Sequence, residues 1–143
     1  MIEMNYPVFG ECQCGKIKFS LKAAPKMVIA CHCKECQKLS TSAFSITAIV
    51  QQDDIDIDID IEGELHETSR IADSGNTNIG KFCSGCGNRI YQLNPAEPTV
   101  IKFKAISSLS DTKMVVPTTH VWTSEKQSWV TIPEGVQQFE KQR

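Results

Sequence analysis

The sequence lacks any cluster of basic residues. Lys and Arg number 15 against 17 Asp and Glu, which gives a formal net charge of −2. Proteins bind nucleic acids and anionic membranes through clustered Lys and Arg side chains, and this charge balance supplies no such surface. We therefore expect neither a nucleic-acid nor a membrane partner.

The sequence also has no long apolar run, and its first residues are not typical of a secretory signal. The longest apolar-leaning run, residues 43–50, is far shorter than the roughly 20 residues that a bilayer-spanning helix requires. Residues 1–7 do not show the basic stretch followed by an apolar one that is typical of a secretory signal. From these two absences we expect a cytoplasmic protein.

Helical periodicity is scarce, whereas alternation with a period of two recurs along the chain. Ile17, Phe19 and Leu21 alternate with polar residues, and residues 54–62 alternate between acidic residues and isoleucine. Such alternation is typical of half-buried strands. With 143 residues, 41% of them hydrophobic, and no internal repeat or linker, we predict one domain over residues 1–143 with a mainly β fold.

Two further expectations concern particular side chains. The acidic face of residues 54–62 could be interpreted as a calcium site, but a straight strand spreads its carboxylates apart, so we favour a solvated face. Trp129 and Phe139 are predicted to be packing anchors, because aromatic side chains bury a large area.

Cysteine, in contrast, is abundant. An odd number of cysteines, seven, cannot all form disulfides within one chain, and a reducing compartment disfavours disulfides altogether. Metal ligation is the remaining common role. Three of the cysteines lie within six residues, and we refer to them as the triad: Cys31, Cys33 and Cys36. The other four form two close pairs, referred to as the tetrad: Cys12, Cys14, Cys83 and Cys86.

The triad and the tetrad suggest two different zinc sites. Four thiolates close a structural zinc site, whereas three leave one coordination position open, as in catalytic zinc sites. Gly15, directly after the first pair, permits a positive φ that would turn both sulfurs toward one centre. Spacing alone leaves the grouping open, because Cys33 and Cys36 also form a CxxC pair. That pair could share an ion with Cys83 and Cys86, leaving Cys12, Cys14 and Cys31 over.

The cysteine motifs, taken together, resemble one known family. They read Gly10-x-Cys12-x-Cys14-Gly15-x-Ile17-x-Phe19, Cys31-His32-Cys33-x-x-Cys36 and Phe82-Cys83-x-x-Cys86-Gly87, followed by Pro117-x-x-His120 and Trp129. This combination resembles the glutathione-dependent formaldehyde-activating enzyme family, which also contains centromere protein V. The resemblance implies a zinc-pinned, mostly antiparallel architecture called a β-tent.

The resemblance also implies a function and a division of the cysteines. It places a structural zinc at the tetrad and a catalytic zinc at the triad, so that two zinc ions are expected per chain. The implied activity is that of a carbon–sulfur lyase, which joins formaldehyde and glutathione to form S-hydroxymethylglutathione. Glutathione is accordingly the expected small-molecule partner.

Cationic side chains near the cysteines are candidate contacts for the two carboxylates of glutathione. They are Lys34, Lys38, Lys81 and Arg89, and each could equally be an ordinary surface charge. Members of the resembled family often carry an arginine shortly before the Phe-Cys step, where Lys81 stands here. A lysine cannot reproduce the bidentate contact of a guanidinium.

Two histidines are further candidate functional residues, and two other functions are open. His32 is expected to point away from the metal, with a ligand role as the alternative. His120 could be a proton shuttle or a packed histidine. The alternative functions are a non-catalytic zinc-stabilised binding module or thiol carrier, and a redox dithiol formed by Cys33 and Cys36.

Overall fold

The computed structural model describes residues 6–59, 65–113 and 115–142, and within these ranges the fold is mainly β, as predicted. The described strands are β1 Val8–Glu11, β2 Ile17–Leu21, β3 Met27–Cys31, β4 Ser45–Gln51, β5 Ile55–Ile59, β6 Leu65–Ile71, β7 Thr77–Cys83, β8 Arg89–Leu93, β9 Val100–Phe103, β10 Thr119–Val121 and β11 Gln137–Gln138. One short helix, α1, spans Lys34–Ser40, and single 3₁₀ turns span Gln52–Asp54, Ile106–Ser108 and Thr123–Glu125. None of the described helices is long and apolar enough to cross a membrane.

The strands form a small sheet and a large one. The small sheet has the order β1-β2-β5, and the large sheet has the order β11-β10-β3-β4-β9-β8-β7-β6. Neighbouring strands are antiparallel, except that β10 runs parallel to both β3 and β11. Strands β6 to β9 follow one another in space as in sequence, as expected for short connections.

The core lies between the two sheets. Ile17, Phe19 and Leu21 of β2 are 0%, 3% and 1% exposed, which confirms the alternation predicted for this strand. Phe19 meets Phe103 of the large sheet edge to face, with ring centroids 5.2 Å apart. Such aromatic pairs add about 0.5–1.5 kcal/mol to the stabilisation from burial alone.

The strand predicted from the alternating aspartates is confirmed over part of its length. In β5 the side chain of Ile55 is buried and that of Asp56 is exposed. Asp56 lies 3.3 Å from the ammonium of Lys22, so its carboxylate belongs to a surface ion pair. The rest of the predicted strand, from residue 60 onward, lies outside the described residues.

The prediction that Trp129 is a packing anchor is wrong. Its side chain is 72% exposed, and its indole Nε1–H donates to Gln127 Oε1 at 2.6 Å. No element of the described chain covers this side chain, and its described polar contact is the exposed one with Gln127, so it does not belong to the core. Phe139, the second predicted anchor, is half-buried beside β10.

Candidate metal centres

The tetrad is assembled where the two sheets meet. Cys12 and Cys14 lie in the turn after β1, Cys83 ends β7, and Cys86 lies in the turn before β8. All four sulfurs lie within 4.8 Å of one another, with 3.6 Å between Cys12 and Cys14 and between Cys14 and Cys83. Four thiolates at the usual zinc–sulfur distance stand about 3.8 Å apart, so this spacing fits a tetrahedral zinc site.

Matching glycines shape the two turns that carry the tetrad. Gly15 and Gly87 each follow the second cysteine of a pair and have φ values of +82° and +78°. Their N–H groups donate to the carbonyls of Cys12 and Cys83 at 3.0 and 2.8 Å. A side chain would strain this left-handed backbone, so glycine lets each turn direct both sulfurs to one side.

Backbone N–H groups also donate hydrogen bonds to two of the tetrad sulfurs. The N–H groups of Ile17 and Gly85 point at the sulfurs of Cys12 and Cys83, at 3.4 and 3.3 Å. Burial acts to raise the pKa of Cys12, but hydrogen bonds from Ile17 and from the other tetrad thiols outweigh it and lower that pKa to about 6, whereas the hydrogen bonds among the same thiols raise the pKa of Cys14 to about 11. A thiol that ionises easily is a good metal ligand.

The triad lies at the junction of β3 and α1. Cys31 ends β3, Cys33 caps the N-terminus of α1, and Cys36 lies in its first turn. The three sulfurs lie within 4.8 Å of one another, and no other Cys, His, Asp or Glu of the described residues joins them at that distance. The Cys36 N–H donates to the Cys33 sulfur at 3.3 Å. The triad thus fits a metal ion with one position left for an outside ligand.

The grouping that spacing left open is resolved by these positions. Cys33 and Cys36 cluster with Cys31, and the pair Cys83 and Cys86 clusters with Cys12 and Cys14. The alternative grouping of both CxxC pairs around one ion is not observed among the described residues.

A lysine that was not predicted to be a site residue, Lys104, lies beside the triad. Lys104 follows β9 directly, and its ammonium contacts the hydroxyls of Ser45 and Thr47 on β4. Hydrogen bonds from the other triad thiols, together with the charge of Lys104, lower the pKa of Cys36. The only hint in the sequence is that Ser45 and Thr47 interrupt one face of an otherwise apolar strand.

Glu125 and Gln127, which follow β10 in the chain, stabilise the segment that carries the triad. The Gln37 side-chain amide donates to the carbonyls of His32 and Glu125 at 2.7 and 3.0 Å, and Gln127 in turn donates to Gln37 at 3.0 Å. The Lys34 N–H donates to the Glu125 carboxylate at 2.7 Å. Such outer contacts orient metal ligands, and losing them typically costs about 10- to 100-fold in metal affinity or activity.

The two histidines form a buried pair behind the triad. His32 Nε2 and His120 Nδ1 are 2.9 Å apart, and the two side chains are 0% and 6% exposed. His32 also packs against Phe44, with ring centroids 5.1 Å apart. Neither histidine is a member of a cysteine cluster, and both side chains are packed in the interior.

We expect the imidazole of His120 to titrate below its ordinary value of about 6.5 in the folded protein. Burial lowers the pKa of His120, because the cation would be poorly solvated in the core. The unfolded chain therefore binds more protons below about pH 6.5, and the free energy of unfolding falls as the pH falls through that range. NMR titration of the imidazole resonances measures this, with the urea-unfolded protein as control. A folded-state midpoint at or above the unfolded one would contradict the expectation.

Two clefts flank the triad. The smaller, of about 320 Å³, lies between α1 and strands β6 to β8 and is lined by Cys36, Asn78 and Gln92. The larger, of about 790 Å³, lies on the side of Lys104 and Cys86. Leu39 and Arg89 line both, so the clefts meet at these residues. Both volumes are typical of small-molecule sites.

The four cations proposed from the sequence differ in their surroundings. Lys38 pairs with Glu35 at 3.4 Å and Lys81 with Glu67 at 2.9 Å. Lys34 is exposed. Arg89 is half-buried and is the only one of the four that lines both clefts.

The chain is similar to a known family, to a curated protein and to a solved structure. The family model described as "Glutathione-dependent formaldehyde-activating enzyme" matches residues 7–125. A Halomonas elongata protein named "Putative glutathione-dependent formaldehyde-activating enzyme" is 28% identical over 127 residues, which cover 86% of this chain and 79% of that protein. A crystal structure of a Rhodobacter sphaeroides protein has a TM-score of 0.51 at 17% identity and covers 71% of this chain and 87% of that one. The last similarity concerns the fold alone.

Proposed function

Because the chain belongs to the glutathione-dependent formaldehyde-activating enzyme family, we propose that it catalyses the addition of glutathione to formaldehyde. The product is S-hydroxymethylglutathione, and the reverse reaction breaks a carbon–sulfur bond, as a lyase does. The observation that carries the proposal is the geometry of the triad. Its three sulfurs converge, the described residues supply no fourth ligand, and one triad residue, Cys36, lines a cleft.

The proposal includes two zinc ions with different roles. Thiolate ligands favour zinc among the common divalent ions, and the sulfur spacing of both clusters fits it. The tetrad would hold a structural ion that joins the turn after β1 to the turn before β8. The triad, together with an outside thiol, would complete the coordination of a catalytic ion.

The reaction is a nucleophilic addition without a change of oxidation state. Zinc held by the triad would supply a positive centre that lowers the pKa of a thiol in the open position. A bond forms between the glutathione sulfur and the formaldehyde carbon, the C=O π pair moves to oxygen, and that oxygen takes up the proton that the thiol lost. The Lys104 ammonium, held by Ser45 and Thr47, offsets the negative charge of the assembled sulfurs.

The proposal is tested by exchange NMR on glutathione and formaldehyde at equilibrium with their adduct. We expect the exchange rate to rise in proportion to the concentration of metal-loaded protein. Because the adduct also forms without a catalyst, the control is the same protein stripped of metal by a chelator. An exchange rate equal to the control would contradict catalysis, and glutathione binding without acceleration would indicate a thiol carrier instead.

A further inference from the structure

Arg89 is a half-buried cation for which the described part of the chain supplies no partner. Within the described ranges, its guanidinium has neither an ion pair nor a side-chain hydrogen bond, whereas Lys22, Lys38 and Lys81 each have a carboxylate. Burial lowers the pKa of Arg89, because water solvates its charge poorly there. Taking a charge out of water is costly unless a partner compensates for it, so the guanidinium is poised for an anion from outside the chain.

The position of Arg89 joins it to the triad. It lines the smaller cleft together with Cys36 and also lines the larger cleft together with Lys104. Lys104 is held on the wall of the larger cleft by the hydroxyls of Ser45 and Thr47. Burial lowers its pKa, the nearby Cys36 and Cys31 raise it, and the positive charge of Arg89 lowers it further. Two cations thus lie close enough to affect each other at the junction of the clefts. Glu35, the carboxylate that also lines the smaller cleft, is paired with Lys38, so the charge left to a ligand at this junction is that of the cations.

Gly80 on β7 leaves free the space that the Arg89 guanidinium occupies, and we call this space the seat. A Cβ atom built on Gly80 would lie 1.8 Å from Nη1 of Arg89 and 2.6 Å from its Cζ. The guanidinium therefore lies directly on the β7 backbone, where only a residue without a side chain leaves room. The seat fixes the place of the charge on the cleft wall.

An unpaired acceptor lies in the same cleft. The Asn78 side-chain amide donates to Gln92 Oε1 at 3.3 Å, but its buried Oδ1 has no hydrogen-bond partner among the described residues. Both side chains line the smaller cleft. A buried acceptor left without a donor destabilises the folded chain, so an N–H group of a ligand would be stabilised there.

We propose that the smaller cleft recognises an acidic, peptide-like thiol, with Arg89 binding a carboxylate and Asn78 Oδ1 accepting a ligand N–H. A guanidinium binds a carboxylate through two parallel hydrogen bonds, which sets orientation as well as affinity. The ligand's sulfur would then lie at the Cys36 end of the cleft. This assignment rests on the proposed function and explains why Arg89, and not Lys81, is the anion contact.

Calorimetric titration of the metal-loaded protein with two thiols tests the assignment. One probe is glutathione, and the other is its dimethyl ester, which keeps the thiol but lacks both negative charges. Hydrogen bonds to charged groups contribute about 1.5–3 kcal/mol, so we expect glutathione to bind about 10- to 100-fold more tightly than the ester. Arg89→Gln should bring this ratio close to one while leaving the affinity for the ester unchanged.

A second variant moves the guanidinium without removing its charge. In Gly80→Ala the new methyl group occupies the seat, and the flexible end of Arg89 must shift, so the ratio should again fall. Combined with Arg89→Gln, the alanine should have no further effect, as expected for two changes that act on one interaction. Lys26→Gln is the matched charge control, because Lys26 is exposed just before β3, at the end opposite Cys31, and its variant should keep the wild-type ratio.

Several outcomes would overturn the assignment. A wild-type ratio near one, or an unchanged ratio in Arg89→Gln, would show that Arg89 does not bind the carboxylate. Loss of a metal ion from Arg89→Gln would show that its charge supports a cysteine cluster instead. If the wild-type protein nevertheless accelerates the exchange of glutathione with formaldehyde, these outcomes overturn only the assignment of Arg89 and leave the proposed function standing. If the wild type binds neither thiol, the proposed function fails with it.

Discussion

Replacing Cys83 with alanine is expected to release one metal ion per chain and to unfold the protein. Cys83 is fully buried at the end of β7 and belongs to both the core and the tetrad. Structural zinc contributes about 10–16 kcal/mol in small zinc-binding peptides. The total stability of a domain is only about 5–15 kcal/mol, so the loss of this ion is comparable with the whole free energy of unfolding.

Metal analysis of the purified protein and thermal unfolding followed by circular dichroism measure the two effects. Ser84→Ala is the matched control, because Ser84 is the exposed neighbour of Cys83, and it should keep both ions and the wild-type melting temperature. Cys36→Ala should lose one ion and remain folded. A Cys83→Ala protein that melts like the wild type would refute a structural role for the tetrad.

Removing a triad sulfur is expected to abolish the acceleration of glutathione exchange with formaldehyde. Changes that only disturb the orientation of metal ligands cost about 10- to 100-fold, so the loss of a ligand in Cys33→Ala should exceed about 100-fold and leave the uncatalysed rate. Exchange NMR at equal protein concentration measures this directly.

Cys33 offers a matched pair of variants that separate activity from stability. Its sulfur caps α1 by accepting the Cys36 N–H, and serine is a preferred residue at this position. Cys33→Ser should therefore keep the cap but lack the soft thiolate ligand, and Cys33→Ala should lose both. We expect both variants to be inactive, and only the alanine variant to be less stable, by about 1 kcal/mol. Wild-type exchange rates in Cys33→Ser would argue against the triad as the catalytic centre.

Much of the fold could be predicted because strand periodicity is local. The alternation of residues 17–21 and that of residues 54–62, as far as the structure describes them, both correspond to observed strands. The exposure of Trp129 was not predictable in this way, because amino-acid type indicates how much area a side chain can bury but not whether a neighbouring element covers it.

The sequence by itself determined the mainly β class, the triad as a local cluster and, through the combined motifs, the family. Only the tertiary structure decided the grouping of the tetrad, because its two halves lie about seventy residues apart and meet only once β7 and β8 pack beside the turn after β1. The same holds for Lys104 beside Cys36 and for Arg89 on Gly80. These contacts depend on the order and register of strands in the large sheet, and the physical reason they escape prediction is that periodicity reports which face of a strand is buried, not which strand lies next to it.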